Sequence, residues 1–405
     1  ERAVSQAPWT KPTVASLFTS LVPSKHGAMS HMSRESGKRF VAMGNQHTTL
    51  AESLASAGYE TFAITHNANI QPVYGFGQGF RSFRFLNDWD LKADTIIREA
   101  EHWFDGFDGG RPFFCYVHVT DPHYPYDPPA PFRGRWDHSG LSVPIDHDVI
   151  QKFHGGQREF SETEKQHLRD AYDEEMVYTD SVVTPFLRKI RARYPDTVIV
   201  LVGDHGDEFW EHGAMGHGHV LYDELTRVPL LIWAPGLAPR RVASQVRLLD
   251  VYPTLLEMTG GDPAQPWMMG ESLVPLLEGG SGPHRPAPME TGGDGEPPWH
   301  LRGISMLYEG QLWKMIRREK DDWNPAGEFS LLFNMELDPF ERNDLAAERP
   351  EIVAALFQAM KEKGWYTHPS DLEGEGFEGG LDRDTEENLQ GLGYLGDPAQ
   401  GPGRD

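Results

Sequence analysis

The stretch that decides the fold of this chain is TVIVLVGDHGDEFWEHGAMGHGHVLYDELTRVPLLIWAP, residues 197–235. It opens with an uninterrupted apolar run, Thr197 to Val202, and a second apolar run follows from Val228 to Ala234. A short apolar run that ends at a glycine is typical of a strand buried on both faces of a parallel sheet. In open α/β sheets, the loops at the carboxyl ends of the strands hold the ligand. The loop after Val202 is therefore the predicted site.

This loop has the composition of a metal site. Asp204 and His205 stand directly at the predicted strand end, and further acidic and imidazole side chains follow among glycines: Asp207, Glu208, Glu211, His212, His217 and His219. A mixture of carboxylate and imidazole suits zinc or manganese better than calcium, which prefers oxygen ligands alone. The alternative is an acidic surface loop with incidental histidines. The spacing favours a metal site in which Asp204 and His205 are ligands.

The segment GDHGDEFWEHGAMGHGHVLYDEL resembles the metal-binding segment of the sulfatase family, within the alkaline phosphatase superfamily. The resemblance implies an α/β fold with a central, mostly parallel sheet flanked by helices and a small C-terminal antiparallel-sheet subdomain. It also implies a divalent metal ion, with zinc or manganese favoured and calcium or magnesium as alternatives. The expected substrate is a small-molecule, glycan-linked or lipid-linked anionic ester. A periplasmic or extracellular location is what the family suggests.

Composition narrows the classes of partner. The 405 residues carry a net charge of -24, which would repel nucleic acid and anionic membranes. No stretch has the apolar length of a membrane span. Cys115 is the single cysteine, so no intramolecular disulfide can form.

A second informative segment is APWTKPTVASLFTSLVPSKHG, residues 7–27, which places Thr10 just before a predicted helix. From the residues alone, Thr10 is most simply the N-cap of that helix. The segment also resembles the sulfatase signature Cys-x-Pro-Ser-Arg-x-x-x-x-Thr-Gly, with Thr10 in place of the cysteine and Val14 in place of the arginine. Thr10 cannot become formylglycine. It resembles instead the nucleophile of the superfamily's phosphodiesterases and phosphoethanolamine transferases, which implies that Thr10 is nucleophile and metal ligand and favours phosphoester chemistry.

Two more strand ends carry candidate residues. A predicted strand, Glu60 to Thr65, leads to Asn67, which resembles an active-site asparagine suited to binding an ester oxygen, although a turn asparagine is an equal alternative. A predicted buried strand, Phe113 to Val119, leads to Asp121 and His123 in DPHYPYDPP. This element resembles one in which the histidine faces substrate or metal, and a rigid connector is the alternative.

The resemblance implies roles for the histidines. His123 and His217 are expected to be catalytic and to bind substrate, contacting ester oxygens or a second metal, while His212 and His219 are weaker candidates.

The remainder of the chain predicts three units. A catalytic domain is expected over residues 1–285, an α+β subdomain over 286–365, and an acidic, glycine-rich tail over 366–405. The catalytic domain contains a long helix opened by the capping box at Ser161. Residues 279–298 are predicted to be a linker, and the following strands include a hairpin turning at Glu309 and Gly310.

Sulfatase-family members begin with a strand ending in metal-binding carboxylates. No strand is expected before Thr10, so this sequence predicts a member without that strand. The leading hypothesis is a metal-dependent hydrolase of sulfate or phosphate esters. A non-catalytic binding protein of the same fold is the alternative, and the intact Asp-His loop favours the enzyme. A phosphoglycerate-mutase-like enzyme is disfavoured, because the C-terminal part resembles sulfatases.

Overall fold

The computed structural model describes residues 1–29, 40–88, 90–141, 149, 152–153, 156–293, 299–318, 328–366 and 376–377. The helices in these ranges are α1 (Thr10–Thr19), α2 (Pro23–His26), α3 (Leu50–Ser56), α4 (Ala93–Gly106), α5 (Glu162–Arg193), α6 (Asp223–Thr226), α7 (Val251–Met258), α8 (Val274–Leu277) and α9 (Pro350–Glu362). Short 3-10 turns cover Pro72–Tyr74 and Leu248–Asp250.

The strands of the first two thirds of the chain are β1 (Arg2–Val4), β2 (Phe40–Val41), β3 (Glu60–Thr65), β4 (Ser82–Phe85), β5 (Phe113–Val117), β6 (Ile199–Val202), β7 (Glu208–Phe209), β8 (Met215–Gly216), β9 (Arg227–Val228), β10 (Leu230–Trp233) and β11 (Gln245–Arg247). The later strands are β12 (Ala287–Gly293), β13 (Trp299–Tyr308), β14 (Gln311–Arg318), β15 (Phe329–Asn334) and β16 (Gly376–Phe377), the last paired with β2.

A parallel three-stranded sheet, in the order β4-β3-β5, forms one half of the α/β part. The predicted strand at Glu60–Thr65 is confirmed, and its apolar side chains are buried. Helix α3 precedes it and begins with a capping box between Thr49 and Glu52. Because the strands are parallel, the carboxyl ends of β3 and β5 lie at the same edge of the sheet, and Asn67 and His123 follow them.

Strand β6 differs from its prediction. It pairs antiparallel with β10, and its side chains are half-buried instead of buried on both faces. Leu201 of β6 lies opposite Leu231 of β10, and these side chains are 44% and 57% exposed. The prediction of a strand at this apolar run is therefore confirmed. The prediction that the strand is buried on both faces of a parallel sheet is wrong.

Strand β1 lies near the start of the chain, paired in parallel with β11 and antiparallel with β9. The expectation that no strand precedes Thr10 is therefore wrong. β1 is three residues long and leads through a buried segment, Ser5 to Trp9, into α1. The sequence did not indicate this strand, because three residues are too few to show the alternation of apolar and polar residues that identifies a strand.

A gap separates the strands β5 and β6, which run side by side in the same direction. Their amino ends meet at Tyr194: its ring centroid lies 5.1 Å from that of Phe113, and its carbonyl accepts the amide of Thr197 at 3.1 Å. At their carboxyl ends His118 and Asp204 lie close enough to interact, since the charge of Asp204 opposes the decrease that burial causes in the pKa of His118. No backbone pairing joins the two strands within the described ranges. A cavity of about 1250 Å³ is lined by both strands together with α1 and α5.

Helix α5 has the predicted capping box, in which Ser161 accepts the amide of Glu164 and the Glu164 carboxylate accepts the amide of Ser161. It packs against α4 through Phe186 and Ile190 in a cluster with the side chains of β3 and β5. Two of its carboxylates, Glu174 and Glu175, are buried, whereas Glu162, Arg188 and Lys189 are exposed.

The C-terminal antiparallel sheet has the order β12-β13-β14-β15. The predicted hairpin is confirmed: Tyr308 pairs with Gln311 across Glu309 and Gly310, which have φ values of 50° and 79°. Two successive positive φ angles match the twist of a two-residue hairpin turn. Strand β12 lies within the stretch that was expected to be linker, so that expectation is wrong for Ala287–Gly293. The sheet packs against the α/β part, where Val4 and Leu221 join its core.

In the described ranges, no helix combines the length and apolar character needed to cross a bilayer. Of the predicted tail, only Tyr366 and the two residues of β16 lie within the described residues.

Candidate active site

The loop after β6 folds back on itself and brings distant residues of one segment together. Strands β7 and β8, of two residues each, pair as a hairpin. The hairpin places His217 beside Asp207 and His205. Gly206 is required at this turn, because a Cβ atom there would lie 2.0 Å from the carbonyl oxygen of Glu224. The amide of Gly218 donates to the carbonyl of Pro8 at 3.0 Å, which fixes the loop against the start of α1.

Thr10 lies beside this loop. It is the first residue of α1, and Trp9 is the N-cap, so the simple interpretation of Thr10 as an N-cap is wrong. The Thr10 hydroxyl lies 3.2 Å from Nε2 of His205, and the side chain is buried. Nδ1 of His205 is 3.0 Å from the carbonyl oxygen of Gly206. A carbonyl only accepts, so Nδ1 carries the ring proton and Nε2 accepts the Thr10 hydroxyl.

His123 and His217 are oriented in the same manner as His205. Nδ1 of His123 donates to the carbonyl of Tyr124 at 2.6 Å, and Nδ1 of His217 donates to Oδ1 of Asp207 at 2.6 Å. The ring centroid of His217 is 4.2 Å from that of His205 and 5.0 Å from that of His123. In each ring an oxygen holds Nδ1, so Nε2 is the nitrogen that would bind a metal, which is the arrangement typical of metal-binding histidines.

Burial keeps the imidazoles of His123 and His217 neutral. It lowers the pKa of His123 to about 3, with a further decrease from the neighbouring His217. Burial and the nearby His205 also lower the pKa of His217, although Asp207 opposes the decrease. A neutral imidazole is the form that binds a metal, so no proton has to be displaced at neutral pH.

A sulfatase family model matches residues 1–261, which is more than half of the chain. The chain belongs to the sulfatase family. Arylsulfatase K of Mus musculus is 29% identical over 214 residues, covering 50% of this chain and 36% of that protein. Choline-sulfatase of Rhizobium meliloti (strain 1021) is 29% identical over 276 residues, covering 63% and 51%. The chain thus spans about half or less of the length of these curated relatives.

Solved structures share the fold. Phosphonate monoester hydrolase from Silicibacter pomeroyi superposes with a TM-score of 0.68 at 16% identity, covering 92% of this chain and 89% of that one. A protein in complex with its substrate D-glucosamine-2-N,6-O-disulfate gives a TM-score of 0.67 at 18% identity, covering 92% and 91%. The predicted sulfatase-like α/β fold with a separate C-terminal antiparallel sheet is confirmed.

Members of the sulfatase family generally bind a divalent metal ion, and Asp204 fits such an ion. Its buried Oδ2 has no hydrogen-bond partner among the described residues, while Oδ1 accepts the amide of His205 at 3.0 Å. Burial alone would raise the pKa of Asp204. The neighbouring imidazoles of His205 and His118 outweigh burial and hold the pKa of Asp204 below its ordinary value. An ionised carboxylate with an open oxygen is a suitable ligand.

A second combination of ligand atoms also lies close together, since those of His205, Asp207 and His217 are all within 4.8 Å of one another. Both oxygens of Asp207 are already engaged, however: Oδ1 by His217 at 2.6 Å and Oδ2 by the hydroxyl of Tyr126 at 2.7 Å. Asp204 therefore fits the ion better than Asp207 does.

Asn67 and the buried His118 also lie at this edge of the sheet. Oδ1 of Asn67 accepts the amide of Asn69 at 2.9 Å, as in a turn, and the buried Nδ2 has no hydrogen-bond partner among the described residues. Thr10 and Asn67 line the same cavity. His118 escaped the sequence analysis. The sequence feature that could have identified His118 is its position near the end of an apolar run. In the structure, its Nδ1 lies 3.0 Å from the Tyr116 hydroxyl.

The other candidates are paired with residues outside this cluster. His212 stacks on Tyr222 with ring centroids 3.6 Å apart, and His219 lies 3.1 Å from the carboxylate of Glu208. Asp121 pairs with Lys92 at 3.7 Å. Val14, at the signature's arginine position, is buried in an apolar cluster of α1, so it supplies no cation.

Proposed function

We propose that this chain forms the catalytic part of a metal-dependent hydrolase of phosphate or sulfate esters in which phosphoesters are the preferred substrates. The observation that carries the proposal is the contact between the Thr10 hydroxyl and Nε2 of His205 at 3.2 Å, beside the open carboxylate oxygen of Asp204. A hydroxyl at the first turn of a helix also lies where amide dipoles favour an anion.

Each residue has a distinct task in this proposal. Asp204, His205 and Thr10 would hold a divalent ion, which supplies the positive charge that lowers the pKa of the hydroxyl and neutralises the ester oxygens. Thr10 Oγ1 loses its proton to solvent and forms a bond to phosphorus while the bond from phosphorus to the leaving oxygen breaks. The leaving oxygen takes a proton from water, and a second water later hydrolyses the threonine ester. His123 and His217 contact the non-bridging oxygens, and the Asn67 amide donates to an ester oxygen.

The chemistry of Thr10 favours phosphorus over sulfur. Formylglycine sulfatases release sulfate by elimination from an aldehyde hydrate, a route that a threonine cannot follow. Phosphoryl transfer needs mainly alignment and charge neutralisation, which a hydroxyl, an ion and imidazoles can provide. Val14 supports the same preference, because it lacks the cation that the sulfatase signature carries beside its nucleophile.

The substrate class follows from the relatives and the cavity. The names of the relatives include choline-sulfatase and phosphonate monoester hydrolase, and one structural neighbour holds a disulfated glucosamine. The cavity that Thr10 lines has a volume of about 1250 Å³, which exceeds that of a sugar-sized group. A small or glycan-linked anionic ester is the substrate that we propose.

The test compares rates on matched nitrophenyl phosphate, phosphodiester and sulfate substrates. We expect one of the two phosphorus substrates to be cleaved fastest, Thr10→Ala to lose nearly all of that activity and Thr10→Ser to retain a measurable part. A clear preference for the sulfate that survives in Thr10→Ala would overturn both the nucleophile and the substrate class.

Binding without turnover is the second candidate, favoured by the replacement of the signature cysteine and arginine by Thr10 and Val14. In that case a stable complex with a nitrophenyl phosphate would form without release of nitrophenol, and Thr10→Ala would bind it equally well.

A further inference from the structure

Buried hydrogen bonds join Tyr126, Asp207 and His217, and the chemistry proposed above assigns no role to Asp207 or Tyr126. The carboxylate receives Nδ1–H of His217 at 2.6 Å on one oxygen and the hydroxyl of Tyr126 at 2.7 Å on the other. The side chains of His217 and Asp207 are only 4% and 5% exposed. Water therefore does not compete for this carboxylate, and its partners determine its geometry.

We propose that Asp207 is a positioning residue that holds the His217 ring so that Nε2 faces the substrate, with Tyr126 anchoring the carboxylate. This inference rests on the proposed function, because it assumes that His217 contacts the ester oxygens.

The three imidazoles of the site differ in what orients them. Backbone carbonyls hold His205 and His123, whereas a side chain holds His217. A carboxylate partner fixes the tautomer and makes the opposite ring nitrogen more basic, more strongly than a carbonyl does. Of the three, His217 alone has an orienting group that a substitution can remove without changing the backbone.

The connection also joins two separate segments of the chain. Tyr126 lies three residues after His123 in the proline-rich segment that follows β5, and Asp207 lies in the loop after β6. The Asp207 carboxylate therefore fixes the position of one loop relative to the other. This keeps the rings of His123 and His217 at a centroid distance of 5.0 Å.

The same loop contains a matched control. Glu208 accepts from Nε2 of His219 at 3.1 Å, so it forms the same kind of pair one residue further along, and His219 lies apart from the cluster. Glu208→Gln and Asp207→Asn make the same chemical change in neighbouring carboxylates. Only the Asp207 substitution is expected to affect turnover strongly.

The first experiment is a double-mutant cycle on the nitrophenyl phosphodiester. We expect Asp207→Asn to lower kcat by roughly 10–100-fold with a smaller change in KM. We expect Tyr126→Phe and Glu208→Gln to lower it by less. Glu208 is buried and accepts the amides of His212 and Ala214, which a glutamine oxygen can also accept. If Asp207 acts through His217, Asp207→Asn will have no further effect in a His217→Ala background. Wild-type activity in Asp207→Asn, or full additivity in the cycle, would overturn the proposal.

The second experiment does not depend on activity. A hydrogen bond of 2.6 Å between a buried imidazole and a carboxylate gives a far-downfield exchangeable proton in the NMR spectrum. We expect this signal to persist in Tyr126→Phe and to disappear in both Asp207→Asn and His217→Gln. Persistence in Asp207→Asn would contradict the inference. If the folded wild type shows the signal but cleaves no ester, the proposed function fails while the connection stands.

Discussion

The residues of the site come from strand ends that are far apart in sequence. Thr10, His123 and His205 meet because α1, the loop after β5 and the loop after β6 converge at one edge of the fold. Three ring nitrogens face inward because an oxygen holds the opposite nitrogen of each ring. The identity of these residues was readable in the sequence, but their orientation was not.

Asp204→Asn tests the metal site. The substitution keeps the size of the side chain and removes the charge, so we expect loss of metal retention and of turnover by about 100-fold or more. Elemental analysis after dialysis and rates on a nitrophenyl phosphate measure these effects.

Asp121→Asn is the matched control, because it makes the same change at the end of the neighbouring strand, where the carboxylate pairs with Lys92. Metal retained at wild-type stoichiometry in Asp204→Asn would exclude Asp204 as a ligand.

His26 predicts a loss of stability in acid. Its Nε2 lies 3.1 Å from both Ser16 and the Pro12 carbonyl, and its Nδ1 accepts the amide of Ala28 at 3.1 Å, so protonation at Nδ1 would break that bond. Burial lowers the pKa of His26 from 6.5 to about 3. Between pH 6.5 and about pH 3, His26 is therefore protonated in the unfolded chain and neutral in the folded chain. The free energy of unfolding decreases as the pH falls through this range.

At pH 5 the loss from this one histidine amounts to roughly 2 kcal/mol. Melting temperatures at pH 7.5 and pH 5 are to be compared for the wild type and His26→Gln. We expect the variant to be less stable at pH 7.5 and less sensitive to acid. Equal pH dependence of the two proteins would contradict the assignment.

At the scale of elements, helix α5 organises the segment that follows β5. The buried carboxylate of Glu174 accepts the backbone amides of Gly134, Trp136 and Asp137, at distances of 2.9, 2.7 and 3.1 Å. Three amides on one carboxylate hold a long segment without secondary structure of its own. This segment begins at His123, so α5 also stabilises one wall of the site.

Glu174→Ala should release this segment, since three amides lose their acceptor at once. We expect cleavage by trypsin after Arg133 or Arg135 to accelerate by about tenfold or more, because local opening controls such cleavage. Glu162→Ala, an exposed change at the start of the same helix, is the control. Mass spectrometry of the fragments locates the cut, and equal cleavage rates in the two variants would show that Glu174 does not hold the segment.

At the scale of the whole molecule, the gap between β5 and β6 is the main departure from a continuous sheet. Among the described residues, each strand has a partner on one side only, and apolar side chains of both line the cavity. Unpaired strand edges and exposed apolar surface favour association with other chains. The chain is therefore expected to bind an apolar dye and to self-associate.

Leu201→Lys tests this expectation, because Leu201 is 44% exposed on β6. A charge there should reduce self-association in analytical ultracentrifugation without lowering the melting temperature by more than a few degrees. Leu337→Lys, at a residue 79% exposed in the C-terminal subdomain, is the control. A monomeric wild type with a sharp cooperative melt, no dye binding and full activity would show that the gap has no such effect.

The sequence by itself determined the family, the α/β class and most of the individual elements. Local signals were sufficient for the capping box at Ser161, the hairpin at Glu309 and the candidate residues at three strand ends. These features depend on residues that are close together along the chain. The same local signals could not reveal β1 as a strand, because a three-residue segment is defined only by its partners β9 and β11.

Only the tertiary structure decided pairing and orientation. It placed β6 against β10 with half-buried side chains, although an apolar run in sequence looks the same in a parallel and an antiparallel sheet. It also separated His217, which faces the site, from His212 and His219, which belong to other contacts. All three histidines lie in one loop, and each has a glycine beside it in the sequence. What distinguishes them is the partner of each ring nitrogen, and that partner is set by the folding of the loop in three dimensions.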